Sequence, residues 1–336
     1  LDGQYTGTLP AGMTVGTDGD NNGTVTLGDS SVGLYGKNGS RLINRGTITV
    51  GNVSAGVMTS GTGSSAENNG TINLGTGSQG ISLKDGVSII NTASGNIIST
   101  GTGTVGLFAD NNAAAVMNVT NSGTIDLSGD KSIGIYSKGA VSAAINNNTG
   151  AVIKVGASAN ALDPSIGIYS ETAGDTITNS GTVTSGANSI GIYSGNGIVN
   201  NNGVINTGDS GVGIYTINGT ANLGGSSVFN IGTNGAVGVY GVSSAVTSST
   251  NFTVGDHNYG FILKGGSFTN NAGTNSTIGT DSVFMYSQQG TAVTNAGNLT
   301  MTGTDNVGFY LDKDSNGVGG AVITNNGVIT GTAGNN

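Results

Sequence analysis

The stretch NSGTIDLSGDKSIGIYSKGAVSAAIN, from Asn121 to Asn146, contains the pattern that decides the fold. Its central motif, SIGIYS, recurs along the chain with substitutions, and the recurrences define twelve equivalent positions. These are Tyr35, Met58, Ser82, Phe108, Tyr136, Tyr169, Tyr193, Tyr215, Tyr240, Ile262, Tyr286 and Tyr310. Neighbouring positions lie 22 to 33 residues apart, with a mean of 25. The chain is therefore one array of about a dozen units.

Each unit reads as three short strands separated by turns, because apolar residues alternate with polar ones. Ile125 and Leu127 mark the first strand, Ile133 and Ile135 the second, and Ala144 the third. Side chains alternate between the two faces of a strand, so we expect these residues to form inward columns. The corresponding third-strand residues of other units include Leu42, Ala144, Ile177, Ile198, Phe268, Val293 and Ile323.

A unit of this length cannot bury its own apolar face, so neighbouring units must stack. We therefore predict an all-β chain that forms a parallel β-helix of about twelve coils, with three strands per coil. The period favours the right-handed form, because left-handed hexapeptide helices have shorter coils of about 18 residues. We expect residues 21–336 to form a single continuous β-helix within a longer protein. Residues 1–20 would be an incomplete first coil or a lead-in segment.

Composition excludes several classes of function. Nine Lys and Arg against eighteen Asp and Glu, with no basic run, argue against binding to nucleic acid or to anionic lipid. No apolar stretch approaches the roughly 18 residues that span a bilayer, so we expect no direct membrane insertion. The chain has no cysteine, which excludes disulfides, metal thiolates and thiol catalysis.

Ten units carry Asn-x-Gly just before the first strand. These asparagines are Asn21, Asn44, Asn68, Asn121, Asn148, Asn179, Asn201, Asn271, Asn295 and Asn325. Strand parity turns them inward, where stacked amides form a hydrogen-bonded ladder of the kind seen in cross-β stacks. We interpret them as structural.

Two stretches resemble calcium loops. DGDNNGTVTLGD, at residues 18–29, belongs to the repeat, because its letters recur in other units. DKDSNG places Asp312, Asp314 and Asn316 at calcium-loop spacing, but Ile323 stands where the bidentate glutamate is needed. We expect a weak Ca²⁺ site or a solvated turn there, and no other cofactor.

One group of acidic residues suggests chemistry. Asp256, Asp281 and Asp305 occupy the turn between the first and second strands in three consecutive units, with His257 beside Asp256. If stacked in a column, they would repel one another or recruit a cation, or act as a carboxylate pair of the glycosidase type. The alternative is that aspartate simply suits this turn. No catalytic residue is assigned, and we expect a protein that is not an enzyme.

The aromatic positions form the most unusual column. The candidate ligand-binding residues are Tyr136, Tyr169, Tyr193, Tyr215, Tyr240, Tyr286 and Tyr310. Parity turns these rings outward, beside a predicted surface groove of glycines. Those glycines are Gly33, Gly134, Gly167, Gly191, Gly213, Gly238 and Gly308. The rings either stack to cover the sheet or form a platform for a sugar or protein ligand.

The motifs N-x-G-T-I-x-L and S-x-G-I-Y, as at residues 121–136, resemble the passenger region of monomeric type V autotransporters, especially the large fusobacterial-type adhesins. The likeness covers residues 21–336. It implies a monomeric right-handed β-helix on the bacterial cell surface, held by a C-terminal outer-membrane β-barrel that this chain does not include. It also implies a role in virulence, through attachment to bacterial or host receptors, either glycan or protein. The alternative is a β-helix enzyme that acts on polysaccharides, a lyase or a glycosidase.

Overall fold

The computed structural model describes residues 18–313 and 321–331. These residues form strands and turns that coil into a parallel β-solenoid of about twelve turns. The predicted all-β class, the stacking and the three strands per coil are confirmed. The right-handed sense of the coil stays a prediction. Within the described ranges, no helix is long and apolar enough to cross a membrane.

The first face of the solenoid consists of two sheets that follow each other along the axis. The larger sheet contains β2 (Thr24–Thr26), β5 (Thr47–Val50), β8 (Thr71–Leu74), β11 (Asn96–Ser99), β14 (Thr124–Leu127), β17 (Val152–Val155), β20 (Thr182–Ser185), β23 (Val204–Thr207) and β26 (Val228–Asn230). The smaller contains β28 (Thr253–Val254), β30 (Asn275–Ile278), β33 (Asn298–Met301) and β36 (Ile329–Gly331).

The second face holds the repeated SIGIYS motif. Its strands are β3 (Val32–Lys37), β6 (Ala55–Ser60), β9 (Gln79–Lys84), β12 (Val105–Asn111), β15 (Ile133–Gly139), β18 (Ile166–Ser170), β21 (Ile190–Gly195), β24 (Val212–Ile217), the first part of β27 (Val237–Ser248), the first part of β29 (Tyr259–Asn270), β31 (Val283–Gln288) and β34 (Val307–Leu311).

The third face closes each coil, and the later parts of β27 and β29 run into it without a break. Its other strands are β1 (Gly19–Asn21), β4 (Arg41–Asn44), β7 (Ser65–Asn68), β10 (Ser88–Asn91), β13 (Met117–Asn121), β16 (Ala143–Asn147), β19 (Thr176–Asn179), β22 (Ile198–Asn201), β25 (Thr220–Leu223), β32 (Ala292–Asn295) and β35 (Val322–Asn325). Each strand pairs in parallel with its equivalent one coil later.

The core is a column of branched aliphatic side chains from all three faces. Ile125 of the first face and Ile135 of the second are fully buried, as predicted, whereas Ile133, which was also predicted to point inward, is only half-buried. On the third face the prediction is wrong by one residue in two coils: Ile145 and Val199 point inward, whereas Ile198 is 41% exposed. Ala144 is paired with Thr176, beside the inward pair of Ile145 and Ile177. The turn between the second and third strands differs in length from coil to coil. A position counted from the tyrosine of the second strand therefore does not locate the inward residue of the third.

The glycine column is not a surface groove, and that prediction is wrong. Gly134, Gly167 and Gly191 are buried within the strands of the second face. A Cβ atom at Gly191 would lie 2.5 Å from the carbonyl oxygen of Gly213, one coil later, and 3.1 Å from an Ile205 methyl group. Glycine is needed there because the next coil's backbone and a core isoleucine occupy the space that a side chain would take.

The asparagine ladder forms inside the solenoid, but with a corrected membership. Within each run, the side-chain Nδ2 of one asparagine donates to the Oδ1 of the asparagine one coil later, over 2.7 to 2.9 Å. One run contains Asn21, Asn44, Asn68, Asn91, Asn121, Asn147, Asn179 and Asn201, and the other Asn270, Asn295 and Asn325. Leu223 and Ser248 separate the two runs.

Three predicted assignments in the ladder are therefore changed. Asn147 and Asn270 are the ladder residues, whereas Asn148 and Asn271, which were predicted, bond to serine side chains outside it. Asn91 was missed because the glycine follows it four residues later, at Gly95. The extra residues in these turns break the Asn-x-Gly spacing without breaking the ladder.

Replacement of a ladder amide tests the corrected assignment. Asn147→Ala removes the amide that donates to Asn179 Oδ1 and accepts from Asn121 Nδ2. Because both buried groups lose a hydrogen-bond partner, we expect a loss of about 2 kcal/mol in the free energy of unfolding. The matched control, Asn148→Ala, removes an exposed bond to Ser122 and should change stability by less than about 0.5 kcal/mol. Urea unfolding followed by circular dichroism measures both. Equal losses in the two variants would contradict the assignment.

Val53 is a strained position in an exposed turn. Its φ is 53°, a left-handed conformation that is rare for a β-branched residue, and its side chain is 71% exposed. Asparagine tolerates this conformation, so Val53→Asn should raise the free energy of unfolding by about 1 kcal/mol. Val116→Asn is the control, since Val116 is also exposed but does not have a positive φ. A gain in the control equal to that at Val53 would show that backbone strain is not the cause.

Candidate functional site

The twelve equivalent positions of the SIGIYS motif form one column on the second face, as predicted. Tyr136 is paired with Tyr169, Tyr169 with Tyr193, and the pairing continues along the whole face. We call six consecutive rings of this column the aromatic stripe: Phe108, Tyr136, Tyr169, Tyr193, Tyr215 and Tyr240. Ile262 then interrupts the rings, and Tyr286 and Tyr310 form a separate pair.

The stripe points outward because its neighbours in the chain point inward. Ile135 and Ser137, on either side of Tyr136, are buried, whereas Tyr136 is half-buried. The same alternation holds in the coils of Tyr169 and Tyr193. A half-buried ring covers the sheet below it and still presents its outer edge to solvent. The predicted outward orientation is confirmed.

Neighbouring rings of the stripe are in contact. Their centroids lie 5.3, 5.1, 4.8, 5.3 and 4.9 Å apart from Phe108 to Tyr240, with tilted or edge-to-face geometry. Such pairs contribute about 0.5 to 1.5 kcal/mol each beyond the burial of area. Because the rings pack on one another along the axis, the interior tyrosines present their edges and hydroxyl groups, more than open ring faces, to a ligand.

Lysine ammonium groups lie over both ends of the stripe. Lys138 Nζ is 5.2 Å from the centroid of Phe108, and Lys264 Nζ is 5.6 Å from that of Tyr240. Both distances suit a cation–π contact. The terminal rings are therefore partly covered, while Tyr35, whose column neighbour is Met58, is 54% exposed.

Two phenols of the column donate to carboxylates. Tyr169 Oη donates to Glu171 Oε1 over 2.8 Å, and Tyr286 Oη donates to Asp312 Oδ2 over 2.7 Å. Gln288 Nε2 also donates to Asp312 Oδ2, over 3.0 Å. These carboxylate partners were not predicted. The alternation of side chains along a strand could have indicated them, because Glu171 and Gln288 lie two residues after a tyrosine of the column. They therefore share the outward face of that tyrosine.

The phenols are held in the protonated state. Burial raises the pKa of Tyr136 to about 12, and the charge of Glu171 adds to the shift. Burial also raises the pKa of Tyr169, Tyr193 and Tyr215. The hydrogen bond to Asp312 raises the pKa of Tyr286 to about 12, and the same bond lowers the pKa of Asp312.

The predicted calcium site is only partly within the described residues. Asp312 is engaged by Tyr286 and Gln288, while Asp314 and Asn316 lie outside the described ranges. In the part of the chain that the structure describes, no three His, Cys, Asp or Glu side chains are grouped to hold a metal ion. A Ca²⁺ ion at this turn stays a prediction.

The three aspartates do not form one column, and that prediction is wrong. His257 occupies the position equivalent to Asp281 and Asp305, because Tyr259 pairs with Val283 and Val283 with Val307. Asp256 is three residues before the start of the next strand, whereas Asp281 and Asp305 are two residues before theirs. The structure therefore brings His257 beside Asp281, with 3.1 Å between Nδ1 and Oδ2, and both side chains are exposed.

Asp256 instead has the structural role that was the alternative. Its Oδ1 accepts the backbone N–H of Thr280 in the next coil over 2.7 Å. Asp29 and Asp209 likewise accept a backbone N–H group of the next coil, over 2.7 and 2.8 Å. Aspartate thus recurs at this position because its carboxylate satisfies a donor of the neighbouring coil.

Comparison with known proteins adds one family resemblance. A family model described as the BigA third pectate lyase-like domain matches residues 4–95. That match covers the first coils, a little over a quarter of the chain, and it agrees with the β-helical architecture. No curated protein and no solved structure gives a significant match. The class that fold and comparison define is a parallel β-solenoid that is similar, in its first coils, to a pectate lyase-like domain.

Alkaline titration tests the surroundings of two tyrosines of the column. Tyr136 and Tyr286 should lose their protons only near pH 12, whereas unfolding in urea should return the pKa of both to about 10. Since the folded chain keeps protons that the unfolded chain loses, stability should be constant below about pH 10 and fall as the pH rises toward 12. Ultraviolet absorbance of phenolate measures the titration. Identical curves for folded and unfolded protein would contradict it.

Proposed function

We propose that this chain is a segment of a bacterial cell-surface adhesin, a rod that attaches to other bacteria or to host receptors. The observation that carries the proposal is the outward aromatic stripe, repeated coil after coil on one face of a continuous solenoid. An extended, regularly spaced surface of this kind suits a large receptor, glycan or protein, better than a small metabolite.

The chemistry of the stripe supports binding. Tyrosine presents an apolar ring and a polar hydroxyl at a small cost in side-chain entropy, and it is enriched in recognition surfaces. Neighbouring rings already pack together, with centroids 4.8 to 5.3 Å apart. A ligand that binds them therefore loses little free energy to fixing their side-chain rotamers. Their outward edges and hydroxyl groups would donate to and accept from a partner that lies along the axis.

The likeness to the BigA third pectate lyase-like domain supports a surface location for the rod. We propose that it acts as a monomer and that it is exported by an autotransporter-type route and anchored in the outer membrane, with a role in virulence. A chain without cysteine suits export in an unfolded state, since no disulfide can form early.

Action on a polysaccharide is the second candidate, and one contact favours it. His257 and Asp281 form an exposed pair, 3.1 Å apart, of the residue types that transfer protons. We propose that the chain binds without turnover, because Asp256 is committed to the backbone of the next coil. Turnover of a glycan library by the native chain, lost in Asp281→Asn, would establish the enzyme and contradict this choice.

Binding to a glycan array and to intact partner cells tests the stripe. The variant Tyr193→Ser, Tyr215→Ser, Tyr240→Ser should lose at least tenfold in binding, because it removes three adjacent rings. The control carries Thr184→Ser, Asn206→Ser and Asn230→Ser, an outward polar row on the first face of the same coils. It should bind as the native chain does. Circular dichroism confirms that both variants are folded.

Two outcomes would contradict recognition by the stripe. Equal binding by all three proteins would place the receptor site elsewhere on this rod. If none of them binds while a longer protein containing these coils does, the coils act as a spacer.

A further inference from the structure

We propose that the aromatic stripe is a site of one-electron oxidation, and that oxidation joins the rings of Tyr169 and Tyr193 by a covalent carbon–carbon bond. The modification would be a dityrosine link between successive coils. It concerns the chemistry of the stripe itself and does not depend on the proposed receptor binding.

Composition concentrates oxidation on tyrosine. The chain contains ten tyrosines but no tryptophan and no cysteine, the other side chains that readily give up a single electron. Its five methionines are oxidised to sulfoxides by transfer of oxygen, which is a different reaction. An electron removed from this protein by a one-electron oxidant therefore comes from a tyrosine. Five of the ten are consecutive members of the stripe.

The pairing of β18 with β21 holds two tyrosines ready to couple. Tyr169 and Tyr193 are direct partners across these strands, and their centroid distance of 4.8 Å is the shortest in the stripe. Two groups held in contact react as if at a very high concentration, with effective molarities of about 10⁵ M or more in well-oriented cases. Coupling within the stripe should therefore outrun coupling between molecules.

Glu171 provides the proton acceptor that this oxidation needs. A phenol that loses an electron becomes strongly acidic, and the proton of Tyr169 already lies in a 2.8 Å hydrogen bond to Glu171 Oε1. Burial and this bond raise the pKa of Tyr169, so its proton is present at neutral pH and must leave during the reaction. Oxidation of Tyr169 is favoured over that of a tyrosine without such a partner, because its proton transfers along an existing hydrogen bond to the Glu171 carboxylate.

The reaction balances with a peroxidase and hydrogen peroxide as the oxidant. Each phenol gives one electron to the peroxidase and one proton to a base, which is Glu171 for Tyr169, and solvent then takes up that proton. Two phenoxyl radicals join at their ortho carbons, and each ortho hydrogen moves to its ring oxygen to restore the phenol. The peroxide takes up the two electrons and two protons and leaves as two molecules of water.

Half-burial makes the stripe accessible to such an oxidant without disturbing the fold. The rings are partly exposed along one face, and their outer edges carry the hydroxyl groups. Ile262 separates the stripe from the pair of Tyr286 and Tyr310, so radical transfer between touching rings ends at Tyr240. A radical that forms in the stripe should therefore stay within the stripe.

Peptide mapping of the oxidised chain tests the proposal. The purified, dilute chain is treated with a haem peroxidase and hydrogen peroxide, and dityrosine is followed by its fluorescence. Cleavage at acidic residues separates the two rings, because Glu171 and Asp175 lie between them and Asp209 divides Tyr193 from Tyr215. The expected main product is the link between Tyr169 and Tyr193, in a chain that remains monomeric on a denaturing gel.

Three variants separate this reaction from general oxidation. Tyr169→Phe keeps the ring packing and should lower total dityrosine at least twofold. Glu171→Gln keeps a hydrogen-bonding side chain but accepts the proton poorly, and should slow the reaction at least threefold. Tyr35→Phe, whose column neighbour is Met58, should leave the yield unchanged.

Three results would overturn the proposal. One is a link pattern that is the same in the folded chain and in urea. Another is dityrosine found mainly in dimers whose amount grows with protein concentration. The third is an equal rate in the native chain and in Glu171→Gln. Because no receptor is present in the assay, these failures are independent of the outcome for adhesion.

Discussion

Every feature of this molecule depends on the parallel, in-register backbone hydrogen bonds between successive coils. These bonds place each residue of a strand beside its equivalent one coil later, at a spacing of about 4.8 Å. A residue type that recurs in the repeat therefore becomes a continuous column in space. The asparagine ladder, the buried glycine column and the aromatic stripe are three products of this one constraint. Whether a column is structural or available for recognition depends on which way its side chains point.

Inward columns accept few residue types because they must fill a closed core. In one region of the chain, the inward asparagine is replaced. Where Leu223 and Ser248 replace asparagine, the amide ladder stops, and the sheet of the first face divides between β26 and β28. Phenylalanines fill the core around this division, with Phe252 in contact with Phe229 and Phe261. These rings take the places of aliphatic core residues, since Phe229 pairs with Ile205 and Phe261 with Val239. The outward stripe ends within this region, at Tyr240, which lies between β26 and β28.

Outward columns are free to vary, so their persistence carries more information about function. The stripe is kept over six coils although its rings are not needed to fill the core. Charged groups accompany it on the same face, with lysines over the terminal rings and a glutamate on Tyr169. A rod with such a face suits recognition of an extended partner. The same contact between rings that orders this surface also brings phenols close enough to react with one another.

Much of the fold and part of the site could be predicted from the sequence, because strand alternation and the repeat period are local properties of the chain. They identified the solenoid, the inward isoleucines and the outward tyrosine column before any contact was known. They failed where turns change length: Asn147 replaced Asn148 in the ladder, Ile145 replaced Ala144 in the core, and His257 replaced Asp256 beside Asp281. The burial of the glycines and the bond between Tyr169 and Glu171 also came only from tertiary structure. Both depend on how one coil lies against the next, and the spacing of letters within a coil does not contain that information.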